Sequence, residues 1–270
     1  MSTATLTTAE KGAVHPTRGA ITPIPFRRLV TVELRKMFDT RAGFWLMASI
    51  ALLALAATAA VIVWGPDSTA ELDTFSSAIG IPMAILLPVI AVLTVTSEYS
   101  QRTALTTYTL EPRRARVLAA KLVSVVAVGL VAMLIALAVG SLGLLVAGAV
   151  NDVDPAWNTT VGEFAKVVLG NILGMLMGFM LGVVLRSSPA AIVAYFVYSL
   201  VLPGVSGMLA AYQEWYRDVQ PWVDPQLNIT QLYDYPMTGE TWTQLGVTML
   251  VWLVLPLAVG SWALLRAEVK

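Results

Sequence analysis

The sequence predicts an all-α polytopic membrane protein with six transmembrane helices, from its composition and the sorting of its charges. It is 57% hydrophobic and only 13% charged, where a soluble domain is about 25% charged. Its apolar residues gather into runs at 43–64, 78–96, 117–150, 162–185, 189–211 and 243–265. Each run covers the roughly twenty residues that cross a hydrocarbon core of about 30 Å. Six crossings put both ends of the domain on one side.

The formal net charge of zero hides a strong asymmetry. Let the side of the termini also hold loops 97–116 and 186–188. That side then carries fifteen of the 17 Lys and Arg, and the other only Lys166 and Arg217. Eleven of the 17 acids lie on the opposite side. Positive loops stay in the cytoplasm, so both termini are expected there, in a multi-pass protein of a bacterial cytoplasmic membrane. A soluble helical bundle has no reason to sort its charges by alternate loops.

Residues 1–22 are rich in Thr, Ala and Gly without apolar periodicity and read as a disordered cytoplasmic tail. No early hydrophobic region with a cleavage site precedes the first crossing, which can itself serve as the insertion signal. Residues 23–42 hold an amphipathic interfacial helix, with Pro25 suited to its first turn. Phe26, Leu29, Val30, Leu34, Met37 and Phe38 share one face, and Arg28, Arg35, Lys36 and Asp39 the other. Glu33 breaks the pattern by projecting from the apolar face. It reaches water at the fringe, or takes a partner from a neighbouring helix or another protein.

The single six-helix domain spans 43–266. Trp45 and Trp64 mark the two interfaces of the first crossing. Loop 65–77 is acidic and external, and the second crossing carries Pro82 and Pro88, each able to kink it. A polar island at 97–121 follows, with Arg102, Arg113, Arg114, Arg116 and Lys121 against Glu98 and Glu111. The third run exceeds one crossing, so it tilts, protrudes or breaks near its glycines. The fourth contains Gly170, Gly174, Gly178 and Gly182 at i, i+4 spacing. Such a row lets a helix approach closely, within one chain or between two. Asn171 is the strongly polar group inside that helix; it bonds across a helix pair or touches substrate. The fifth crossing is expected to break at Pro203-Gly204. Segment 212–242, dense in Tyr and Trp, is expected to form short external helices at the outer leaflet.

The available chemistry is narrow. Zero cysteines exclude disulfides, thiolate catalysis and Cys-ligated metal, and the single His15 lies in the tail. No catalytic residue and no metal site is expected. Gly204-Val205-Ser206-Gly207 matches the GxSG of rhomboid-type proteases, but no membrane histidine exists to take the serine proton. The centres of all six runs lack ionisable residues, which disfavours ion-coupled transport and a charged-ring channel. No GxxxxGK[ST] phosphate loop is present, so the chain does not hydrolyse ATP by itself.

The island resembles the cytoplasmic loop of permease subunits of type-two ABC exporters. Glu98, Thr103, Pro112, Arg113, Arg114, Arg116, Ala120 and Lys121 match that family's loose pattern, and Arg102 departs from it where many members have Gly. Residues 32–45, VELRKMFDTRAGFW, resemble the family's elbow helix in an actinobacterial style. The resemblance implies an elbow helix with Glu33, Arg35 and Lys36 and a cytoplasmic coupling helix between crossings two and three. Glu98, Arg102, Thr103, Leu105, Tyr108, Leu110, Pro112 and Arg113 are then the ATPase-coupling residues. Arg113, Arg114 and Arg116 contact the ATPase, or act as topology signal and headgroup ligands. The implied partners are an ABC ATP-binding subunit, a second permease copy or homologue, and the lipid bilayer, with no nucleic acid. ATP and Mg belong to the partner subunit and no cofactor to this chain. A non-transporting membrane anchor or immunity or signalling partner is the alternative.

Overall fold

The computed structural model describes residues 24–65, 70–101, 107, 109–234 and 236–266. The expected tail 1–22 and four expected coupling residues (Arg102, Thr103, Leu105 and Tyr108) lie outside the described residues. Among the described residues these helices follow in order: α1 Phe26–Asp39, α2 Arg41–Trp64, α3 Leu72–Ser100, α4 Arg114–Asn151, α5 Val161–Leu185, α6 Ser188–Tyr212, α7 Glu214–Val223, α8 Pro225–Asp234 and α9 Gly239–Arg266. Helices α2, α3, α4, α5, α6 and α9 are long and apolar enough to cross a membrane. α3 starts at Leu72, ahead of the expected 78.

α3 and α5 form the interior. In their most apolar stretches 56% and 50% of residues are buried, against 17% in both α2 and α6. One face of α5 joins a core with α2, α3 and α4 that contains Ile79, Met83, Leu87, Val125, Met175 and Phe179. Its other face, with Met177 and Met180, packs on Tyr195 and Tyr198 of α6, Leu232 of α8, and Leu245 and Met249 of α9. α5 is therefore the post on which both halves of the bundle rest.

Glycine makes the α3–α5 approach possible. A Cβ at Gly178 would lie 2.5 Å from the Pro88 carbonyl oxygen and 3.1 Å from its Cα. One at Gly182 would lie 3.2 Å from the Val92 carbonyl oxygen. Gly174 is looser, with the Pro88 ring at 3.8 Å. Gly170 faces elsewhere: the Tyr233 hydroxyl, from α8, fills its space. The seam thus lies within one chain, and its first member seats an aromatic ring.

One expectation changes and another narrows. No break occurs at Pro203-Gly204, since α6 runs through as helix. A π-helical turn, Val197–Val201, comes just before Pro203. A second, Leu250–Val254, comes just before Pro256 in α9. Proline lacks an N–H and its ring presses on the carbonyl four residues back. Widening one turn moves that carbonyl away and keeps the helix whole. The third run does not break either: α4 is one helix of 38 residues, about 57 Å long. Its glycines serve packing instead, with Phe75 and Thr58 filling the space beside Gly143.

Because the Pro88 backbone cannot yield as a side chain can, Gly178→Ala should cost about 1–3 kcal/mol. Gly174→Ala should stay within about 0.5 kcal/mol. Unfolding of both variants in detergent measures this, and equal losses would contradict the seam.

Candidate functional site

Three acidic or basic side chains that interrupt apolar faces meet at one end of the bundle, with a fourth beside them. α1 brings Glu33 and Lys36, one turn apart. α3 brings Glu98 in its last turn, and α4 brings Lys121 two turns past its start. Glu33 packs on the bundle beside Met37, while Phe26 and Phe38 of the same helix stay exposed. Pro25 caps α1 from outside rather than occupying its first turn. On α4 the inward stripe of Val117, Ala120, Lys121, Ser124, Val125 and Val128 carries the lysine into the same layer.

The four charges alternate. Lys121 Nζ donates to Glu33 Oε2 at 2.7 Å and to the Thr94 carbonyl at 3.1 Å, and pairs with Glu98 Oε1 at 3.2 Å. Lys36 Nζ donates to Glu33 Oε1 at 2.8 Å and Glu98 Oε1 at 3.0 Å. Side chains of Glu33, Glu98 and Lys121 are only 6%, 5% and 5% exposed, and Lys36 is 42% exposed. Burial opposes the charge on Lys36, but the two carboxylates outweigh it and hold its pKa above the usual lysine value. The group is formally neutral, which is what makes its burial tolerable.

The quartet also reaches the segment between α3 and α4. Thr107 Oγ1 donates to Glu98 Oε1 at 3.2 Å. Glu111, buried, accepts from the Arg113 backbone N–H and from Arg116, whose other amine donates to the Ile24 carbonyl at 2.7 Å. Arg114 donates to the Leu264 carbonyl at 2.9 Å, in the last turn of α9, where a cation meets unpaired carbonyls. Ser188 at the start of α6 donates to Thr96 at 2.7 Å. α1, α3, α4, α6 and α9 are thus braced together at this end. Leu110 is 70% exposed, and Pro112, Arg113 and Arg35 are exposed too; they offer surface, not bracing.

A second polar cluster lies at the far end of α6. Ser206 donates to the buried Asp224, so the Tyr216 hydroxyl at 2.8 Å and the Gln220 amide at 3.1 Å must donate to Ser206. Asp224 also accepts from Gln226 N and Leu227 N at 2.9 and 3.0 Å, capping α8. The GxSG serine is therefore a clip that seats α7 and α8 on α6. Asp224 was missed, although an Asp directly before Pro225 is a helix-start signal. Lys121 entered as one basic residue of an island and as a match to the family's loose pattern, with no partner named. Its depth in an apolar run was the clue to a carboxylate partner. Among the described residues no cluster suits a metal ion.

Lys121→Met should cost about 3–5 kcal/mol, because it strands buried carboxylates, and Lys36→Met clearly less, since water reaches that group. Adding Glu33→Leu to Lys121→Met should recover part of the loss. A double-mutant cycle by thermal unfolding in detergent checks this; strictly additive costs would refute the coupling of Glu33 and Lys121.

A family model described as ABC-2 family transporter protein matches residues 7–269. A comparison with curated proteins finds no match. With six membrane-length helices and a match across nearly its whole sequence, the chain belongs to the ABC-2 family of transporter proteins, as a membrane permease.

Proposed function

We propose that this permease is the membrane half of an exporter, driven through the quartet end by a separate ATP-binding-cassette subunit. The observation that carries the reading is the Thr107–Glu98 hydrogen bond. It joins the segment between α3 and α4 to a buried charge group shared by α1, α3 and α4. A push on that segment cannot be absorbed locally, because separating buried ion pairs is expensive. It moves three helices together, and the seam between Gly178 and Pro88 passes the motion on to α5.

In this reading α1 is the elbow helix at the cytoplasmic surface of the bacterial cell membrane, and both termini are cytoplasmic. The charge asymmetry of the loops supports it. The segment between α3 and α4 is the one that meets the ATPase, with Arg102, Thr103, Leu105, Tyr108, Leu110, Pro112 and Arg113 as its coupling residues. ATP and Mg are held by that partner. Transport runs between this bundle and a second copy or homologue, and the exposed apolar faces of α2 and α6 suit lipid and such a partner. Arg114 and Arg116 bond carbonyls and Glu111 of this chain, which favours bracing over ATPase contact for those two.

Purification from native membranes in mild detergent, with mass spectrometry of the co-purifying chains, tests the reading. A cassette ATPase in near-equal amount is expected. Its absence, under conditions that preserve a known ABC complex, would bring the non-transporting anchor forward. In the assembled complex, Glu98→Ala and Arg102→Glu should each lower ATP turnover several-fold with membrane insertion unchanged. Wild-type turnover in both would remove the coupling assignment.

A further inference from the structure

A cavity of about 790 Å³ opens between α3, α4 and α5 at the end of the bundle opposite the quartet. It lies inside one bundle, away from the α2 and α6 faces. Its mouth is polar, with Asp73, Ser76, Ser77, Asn158, Glu163 and Lys166 among the lining residues. The two loops there are pinned, since Ala156 N donates to the Ala70 carbonyl at 2.8 Å and Asp73 N to Asn158 Oδ1 at 3.1 Å. The walls below are apolar, with Met83, Met133 and Phe164.

At depth the cavity meets Asn171, which is 5% exposed. Asn171 Nδ2 donates to the Val167 carbonyl at 3.0 Å, so the amide orientation is fixed by chemistry. Its Oδ1 has no hydrogen-bond partner. A buried acceptor left unpaired is costly, and a donor brought in through the cavity would relieve it. Asn171 lies ten residues along α5 from its start at Val161, about 15 Å down the axis. Two carboxylates, Asp73 and Glu163, and one ammonium, Lys166, are among the residues lining the mouth. A charge is favoured there and not in the apolar depth.

We propose that this cavity is a binding site for an elongated amphiphilic amine. Its ammonium sits at the acidic mouth, its apolar body lies along Met83, Met133 and Phe164, and an uncharged hydroxyl or amide donor at its inner end bonds Asn171 Oδ1. This site requires neither the ATPase nor a second copy, so it stands apart from the coupling reading.

Gly80 supplies the test. It lines the cavity, and a Cβ built there meets nothing within 4 Å. Gly80→Phe should therefore fill the cavity without disturbing the fold. The probe is 12-amino-1-dodecanol, with dodecylamine and 1,12-dodecanediol each lacking one of its two ends. Binding is measured by titration of the full chain in lipid nanodiscs, against empty nanodiscs. The amino alcohol should bind saturably and about tenfold tighter than either comparator. Asn171→Leu should erase its advantage over dodecylamine and leave its advantage over the diol. Gly80→Phe should abolish saturable binding of all three at an unchanged melting temperature. Equal affinity for the amino alcohol and either comparator overturns the proposal, and so does binding that survives Gly80→Phe. If Gly80→Phe lowers the melting temperature, Gly80→Leu takes its place and is held to the same outcomes.

Discussion

Glu33, Glu98 and Lys121 are buried where water cannot replace a lost partner, with the half-exposed Lys36 closing the group, and this constraint organises one end of the molecule. Each carboxylate touches both ammonium groups. The cost of opening any one contact is thus shared by three helices. A surface ion pair would yield to a small push, whereas a desolvated one transmits it. The group, with the Arg116 bond to the Ile24 carbonyl just ahead of α1, also explains why α1 is not free to float at an interface.

Away from that end the helices are joined differently. Backbone contact at Gly178 and Gly182 replaces side-chain interdigitation between α3 and α5, as suits a solvent in which apolar burial between helices gives little. The two outer helices of the second half, α6 and α9, each carry a π-turn ahead of a proline. Their outward faces remain apolar and uncovered, from Val193 to Met208 and from Leu250 to Val259. Rigid packing at the centre and widened turns at the periphery divide the bundle into a post and two deformable staves.

The sequence was legible where one physical rule dominates. Twenty-residue apolar runs give the six membrane-length helices, because lipid admits only helices and closed barrels and a barrel strand is about half as long. Glu33 was legible as an anomaly, since a carboxylate on an apolar stripe calls for a partner. Its partner was not, because Lys121 lies 88 positions away, and no periodicity connects residues on separate helices. The glycine row announced a close approach but not its target. That Gly170 seats Tyr233 while its three successors face α3 depends on where α8 folds back. Pro203 misled for a related reason: a proline signals a lost hydrogen bond, and only the neighbouring turn decides whether the helix breaks or widens. Ser206 stayed hidden because it reads locally as part of a GxSG string, and Asp224 because a helix-start signal before Pro225 names no partner on α6.

The 88-residue separation of Glu33 and Lys121 also orders events during synthesis. At about 5–20 residues per second, translation adds that length in roughly 4–18 s. Through that interval α1 has left the ribosome with its carboxylate unpaired, save for Lys36 one turn on. The helix cannot enter the apolar layer it will occupy. It waits at the aqueous boundary while α2 and α3 insert, and closes onto the bundle when α4 delivers the second ammonium. Of the pieces that meet at the quartet, the last to dock is therefore the first made, so an early error in inserting α4 would be exposed to quality control as an undocked amphipathic helix.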